Sequence, residues 1–153
     1  MNSRERILTA INHRQPDRIP VDLGATPSSS ISVVAWQNLL KHINKEYLQT
    51  WVYDVVQEVV QPEMEILDLF GVDVIDLGRH FNQDPDYWHK LEIIKGYPGW
   101  YPKWFQPQQQ KDGSWLAFNE FGEAVGRMPV GATFFDQIVF PYQNGFPENY
   151  AEL

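Results

Sequence analysis

Apolar residues alternate between helical spacing and short runs closed by glycine or proline. Asn2 with Glu5 three residues later has the form of a capping box, and Ile7, Leu8 and Ile11 fall on one face before Pro16 stops the element. This predicts an amphipathic helix within residues 1–16. The run Asp17-Arg18-Ile19-Pro20-Val21-Asp22-Leu23-Gly24 is too short for a helix and reads as a strand. Behind the cap-rich loop of residues 26–30, Trp36, Leu39, Leu40 and Ile43 keep the spacing of a buried helical stripe. Val52, Val55, Val56, Val59 and Val60 also sit at helical spacing although their β-branched side chains favour strand; helix is the reading taken here. Pro62, Glu63 and Glu65 open a further helix that Gly71 closes, and residues 72–78 form a second strand bounded by glycines. Strand, helix, strand predicts a βαβ unit with a parallel sheet.

The pattern changes after Arg79. Asp84-Pro85-Asp86 reads as a cap and first turn, residues 96–107 are dense in aromatic residues, proline and glycine, and Trp115-Leu116-Ala117-Phe118 and Ala124-Val125-Gly126-Arg127 flank a turn, predicting a hairpin insertion. Residues 147–153 resemble a helix start that is cut short. The expected organisation is therefore a helix in 1–16, the first β-α-β units in 17–78, an aromatic-rich excursion with a hairpin in 79–140, and the start of a helix in 141–153.

The 153 residues suffice for one domain with a real core. With 43% hydrophobic and 14% aromatic residues, the chain is too apolar to be disordered. Twelve basic residues against 20 acidic ones give a net charge of −8, which argues against nucleic acid and anionic membranes as partners. The absence of cysteine removes disulfides, thiolate nucleophiles and Cys-based metal sites. No stretch reaches the about 18 apolar residues of a membrane span. A cytoplasmic location is expected.

Several separated motifs, in order, carry a resemblance: Asn2-Ser3-Arg4-Glu5-Arg6-Ile7-Leu8 through His13, Pro16-Asp17-Arg18-Ile19-Pro20-Val21-Asp22-Leu23-Gly24, Phe70-Gly71-Val72-Asp73-Val74, and Asp112-Gly113-Ser114-Trp115 with Asn119-Glu120-Phe121-Gly122. Together they resemble the start of the uroporphyrinogen decarboxylase superfamily. That resemblance implies the α/β class and the N-terminal part of a (β/α)8 TIM barrel, incomplete here because a full barrel needs about 250 residues. It also implies one of two chemistries, cofactor-free decarboxylation or corrinoid-linked methyl transfer with zinc. Decarboxylases carry an arginine-bearing run that grips substrate carboxylates, where this chain has Asp22-Leu23-Gly24-Ala25-Thr26-Pro27, so methyl transfer is favoured. No cofactor is expected within this chain; zinc and a corrinoid belong to the complete enzyme. The implied partners are a tetrapyrrole or corrinoid ligand, a corrinoid protein, and a completing subunit or a second copy, since two parallel strands leave unpaired edges.

Chemistry in such a barrel sits at strand C-terminal ends. Asp22, Asp76 and His80 are accordingly the candidate catalytic residues, as general acid, base or N–H anchor, and Arg79 the candidate for a ligand carboxylate. The plainer reading of an Asp beside Gly is a turn former. Trp100 and Trp104, in an aromatic run with Tyr97, Tyr101 and Phe105, are candidate ligand-binding residues, with packing of the insertion as the plainer reading. His13, His42 and His89 lack metal spacing, and no phosphate loop or hydrolase motif is present. The alternative to an enzyme portion is a non-catalytic binding module or a subunit that completes a split barrel.

Overall fold

The computed structural model describes residues 1–78, 84–143 and 145–146. Helix α1 covers Ser3–Ile11 and starts with a reciprocal box, in which Asn2 Oδ1 accepts from the Glu5 amide and Glu5 accepts from the Asn2 amide. Its apolar side chains are not its anchor: Leu8 is 39% and Ile11 64% exposed. Strand β1 (Ile31–Ser32) leads into α2 (Val33–His42), capped by the Ser32 hydroxyl. The spacing of Trp36 and Leu40 places both in the core, with Leu39 and Ile43 packed against it.

Residues 52–60 are not helical. They form β2 (Val52–Asp54) and β3 (Val59–Val60), which pair antiparallel, while β1 pairs with the other side of β3. The valines satisfied both periods, and β-branching decided. The turn between the strands depends on Glu58 at φ 52 and on Asp54, whose carboxylate accepts from the Val56 and Gln57 amides. Helix α3 (Met64–Leu69) follows Pro62 and is closed by Gly71 at φ 59.

The second half is entirely antiparallel in its named strands. Strands β4 (Trp88–Leu91) and β5 (Gly99–Pro102) form one pair, after a 3₁₀ turn capped by Asp84. Strands β6 (Gln108–Gln109), β7 (Trp115–Phe118), β8 (Ala124–Met128) and β9 (Asp136–Gln137) form a four-stranded meander around the predicted hairpin. The expected helix in 147–153 lies outside the described residues.

The expected partial (β/α)8 barrel is overturned. The described residues form small antiparallel sheets with three α-helices, and parallel pairing is confined to two isolated bridges, Asp22 with Val74 and Trp51 with Trp100. Residues 17–24 and 72–78 share only the first of these bridges, so the segments expected to be parallel strands do not build a sheet. The second bridge and the Trp100 N–H donating to Thr50 O (2.8 Å) attach the β4–β5 pair to the β1–β3–β2 sheet. The Phe135 N–H donating to Val56 O (2.8 Å) attaches the meander. Trp36, Val52, Val60, Tyr101, Phe105 and Phe135 meet between these pieces. No helix among the described residues is long and apolar enough to cross a membrane.

Glu58 is fully buried in that core. The Tyr101 hydroxyl donates to its Oε2 (2.6 Å), and its Oε1 has no partner among the described residues. Burial pushes its carboxyl up to about 8; the Tyr101 bond lowers it and the Asp54 charge adds to the rise. A raised acid holds its proton in the fold and loses it when unfolded, so its stability contribution is complete below the unfolded value near 4.5. That contribution drains away as pH climbs to about 8. Glu58→Gln should flatten the pH dependence of urea stability between about pH 5 and 8 and gain about 2 kcal/mol over the parent at the alkaline end. An unchanged slope would show that Glu58 is ionised in the fold.

Candidate functional site

The structure brings two of the predicted site residues to one place and gives both a local task. Asp22 Oδ1 accepts from the Ala25 amide (3.0 Å), closing the turn that contains Gly24. Gly24, at φ 87, lies where an added Cβ would stand 2.6 Å from Pro62 Cδ, so this turn needs glycine. Asp76 Oδ1 accepts from the Gly78 amide (2.8 Å), and its Oδ2 accepts from Gln61 Nε2 (3.3 Å). Both carboxylates act on Tyr53, a residue the sequence reading passed over. Burial pushes the Tyr53 hydroxyl up to about 12, and the charges of Asp76, Asp54 and Asp22 add to it. That hydroxyl is sealed from solvent, and Ser30, which lowers its pKa, itself donates to the Val60 carbonyl. Tyr53 thus stays a neutral O–H donor at physiological pH, among carboxylates already committed to turns. No nucleophile–base pair is assembled there among the described residues. Reading Val52-Tyr53-Asp54 as a strand would have revealed Tyr53.

Arg79 and His80 lie outside the described residues. His13 sits at φ 56 just past α1, His42 ends α2, and His89 Nε2 lies 3.1 Å from the Phe105 carbonyl. Among the described residues no group of three His, Asp or Glu side chains could hold a metal ion.

The aromatic run divides. Tyr101 and Phe105 stack in the core with centroids 6.0 Å apart, and Phe105 meets Phe135 edge-on. Trp104 is 71% exposed. Trp100 stacks on Trp51 (5.6 Å, 29°), while Trp51 meets Trp88 edge-on (5.2 Å). Trp100, but not Trp104, lines a cavity of about 580 Å³ between α2, the segment before β2 and the β4–β5 pair.

The motif residues converge elsewhere. Arg6 grips Asp17 with two guanidinium nitrogens (2.7 and 2.9 Å), and Arg6 Nη1 donates to Asp73. Arg18 grips Asp73 from another side (2.7 and 3.1 Å) and donates to Gly71 O. The Val21 amide donates to Asp73 Oδ2 (2.9 Å), and the Asp73 amide returns a bond to Val21 O (2.8 Å). The Asp73 side chain has no solvent exposure. Burial alone would raise its carboxyl, but the Val21 amide, the Ser3 hydroxyl and the two guanidiniums hold it well below the usual carboxylate range. Arg6 likewise holds Asp17 low.

No family model, no curated protein and no solved structure matches the chain. Neither these comparisons nor the site geometry supports the tetrapyrrole, porphyrin and corrinoid functions that came with the barrel expectation.

Asp73→Asn leaves two guanidiniums facing a neutral amide and should cost about 3 kcal/mol in urea unfolding at pH 7. Because the folded carboxyl is depressed, that stability is complete above the unfolded value near 4 and disappears as pH falls below it. Parent and variant stabilities should therefore converge in acid. A constant gap down to about pH 2 would show that Asp73 acts by shape rather than charge.

Proposed function

We propose that the chain is the N-terminal portion of an enzyme of the uroporphyrinogen decarboxylase superfamily, with methyl transfer favoured over decarboxylation, and that it turns over nothing by itself. The observation that supports this reading is the convergence on Asp73. Arg6, the pair Asp17 and Arg18, and Asp73 come from three separated motifs of the resemblance and meet at one buried carboxylate.

The described residues do not form the superfamily's barrel, so membership assigns them an anchoring role. Asp22 and Asp76 spend carboxylate oxygens on turn amides, which supports the absence of turnover by this chain alone. The run at residues 22–27 lacks arginine, which supports methyl transfer over the gripping of several substrate carboxylates. Ile19 and Leu77, each 83% exposed, flank the single Asp22–Val74 bridge and are apolar surface that more polypeptide would cover. The chain has no thiolate, and among the described residues no group of three His, Asp or Glu side chains could hold zinc.

The test is made on the native polypeptide carrying this sequence, tagged in its own cell. Its mass should exceed the 17.9 kDa of these residues, and it should move an isotopically labelled methyl group from a methyl-corrinoid donor onto a thiol, which gives up its proton to solvent, without releasing CO2 from uroporphyrinogen. A 17.9 kDa native product that forms no thioether would overturn the proposal, leaving the binding-module alternative. Release of CO2 from uroporphyrinogen would overturn the preference for methyl transfer.

A further inference from the structure

The cavity beside Trp100 shares no residue with the Asp73 network or with the turns around Asp22 and Asp76. Its size, about 580 Å³, lies within the range of small-molecule sites. Its walls mix polar and apolar surface in about equal parts, and some of the polar groups are fixed in place. Gln37 Nε2 donates to Thr50 Oγ1 (3.2 Å) and to Pro98 O (2.7 Å), which uses both amide hydrogens and leaves Oε1 as an acceptor. The Trp100 indole N–H donates to Gln49 Oε1 (2.9 Å), which orients that second amide. Asn38, Lys41 and Glu46 line the same space and make no side-chain hydrogen bond or ion pair among the described residues. Lys90 completes the wall, its ammonium 5.1 Å from the centre of the Trp100 ring.

These groups select a chemistry. Gln37 Oε1, the Asn38 side-chain carbonyl and the Glu46 carboxylate are acceptors, suited to hydroxyl donors. Lys41 and Lys90 supply two ammonium groups against the single carboxylate of Glu46, a local positive excess in a chain of net charge −8. Trp100 and Tyr97 add apolar ring surface against which C–H groups can lie. A neutral hydrophobic ligand would bury the amides and ammoniums unpaired, which is costly. A ligand with several hydroxyls and one carboxylate would pair them.

We propose that this cavity binds a polyhydroxylated carboxylate of the sugar-acid type, its carboxylate between Lys41 and Lys90 and its hydroxyls on Gln37, Asn38 and Glu46. The probe is sodium D-glucuronate, with D-glucose as the uncharged control, titrated calorimetrically into the polypeptide while its tryptophan indole N–H resonances are followed by NMR. Glucuronate should saturate with a Kd of about 1 mM or tighter and shift the Trp100 indole resonance. Glucose should bind at least about tenfold more weakly. The pair Lys41→Gln and Lys90→Gln, neither lysine being in an ion pair among the described residues, should keep the parent thermal midpoint and remove the preference for glucuronate. Absence of saturation by glucuronate, equal binding of glucose, or a preference that survives the double substitution would each overturn the assignment. A Gln37→Leu variant gives a second reading, since loss of the acceptor should weaken both sugars together; unchanged affinity there would contradict the assigned role of Gln37.

Discussion

One buried carboxylate holds segments of the N-terminal half of the molecule in register. Asp73 takes hydrogen bonds from Arg6, Arg18 and the Val21 amide, and so links α1, the segment after Pro16 and the segment after α3. The burden falls on this group because little else is available. A nine-residue helix is marginal by itself, and α1 leaves Ile11 mostly in solvent. The segments at 17–24 and 72–78 exchange one bridge rather than a ladder. Burying a carboxylate is unfavourable unless it is fully paired, and Asp73 is paired on both oxygens. Charge complementarity here performs the work that a sheet interior performs in larger domains.

The rest of the molecule is organised differently, around aromatic packing. Trp36 from α2, Tyr101 from β5 and Phe135 before β9 meet at the short β2–β3 hairpin, and Glu58 in its turn reaches Tyr101. A buried acid with one open oxygen in that position sets an alkaline limit on stability, just as Asp73 sets an acid one. The same hairpin carries Tyr53 toward Asp22 and Asp76, so the core and the turn cluster are two sides of one element. The polar cavity opens where α2 and the β4–β5 pair meet the segment entering that hairpin.

Local signals were legible in the sequence. Asn2 and Glu5 form their reciprocal box, Asp84 caps its turn, Trp36 and Leu40 bury the stripe of α2, and residues 115–128 make the hairpin. Each of these depends on residues a few positions apart. What failed depended on longer-range choices. The five valines between 52 and 60 fit both helix and strand, and nothing local announced that a glutamate would take a positive φ to turn the chain there. The apolar runs at 17–24 and 72–78 have strand composition, but whether they meet along a ladder or at one bridge is set by the ion network between them. Asp22 and Asp76 could be read as turn formers from their glycine neighbours. Gln37 and Lys41 carried no sequence signal, because their neighbours come from segments far away along the chain, and the helix reading of residues 52–60 hid Tyr53.

The account rests on Asp73 joining three separate segments into one cooperative unit, and native-state hydrogen exchange tests that most directly. The amides of Arg6, Val21 and Asp73, one from each segment, are all hydrogen-bonded: Arg6 to Asn2 O, Val21 to the Asp73 carboxylate and Asp73 to Val21 O. If the carboxylate unites the segments, the three amides exchange with one common opening free energy that falls together as denaturant is added. If the Arg6 amide exchanges through its own low-energy opening while Val21 and Asp73 remain protected, α1 frays independently and the central role given to Asp73 is wrong.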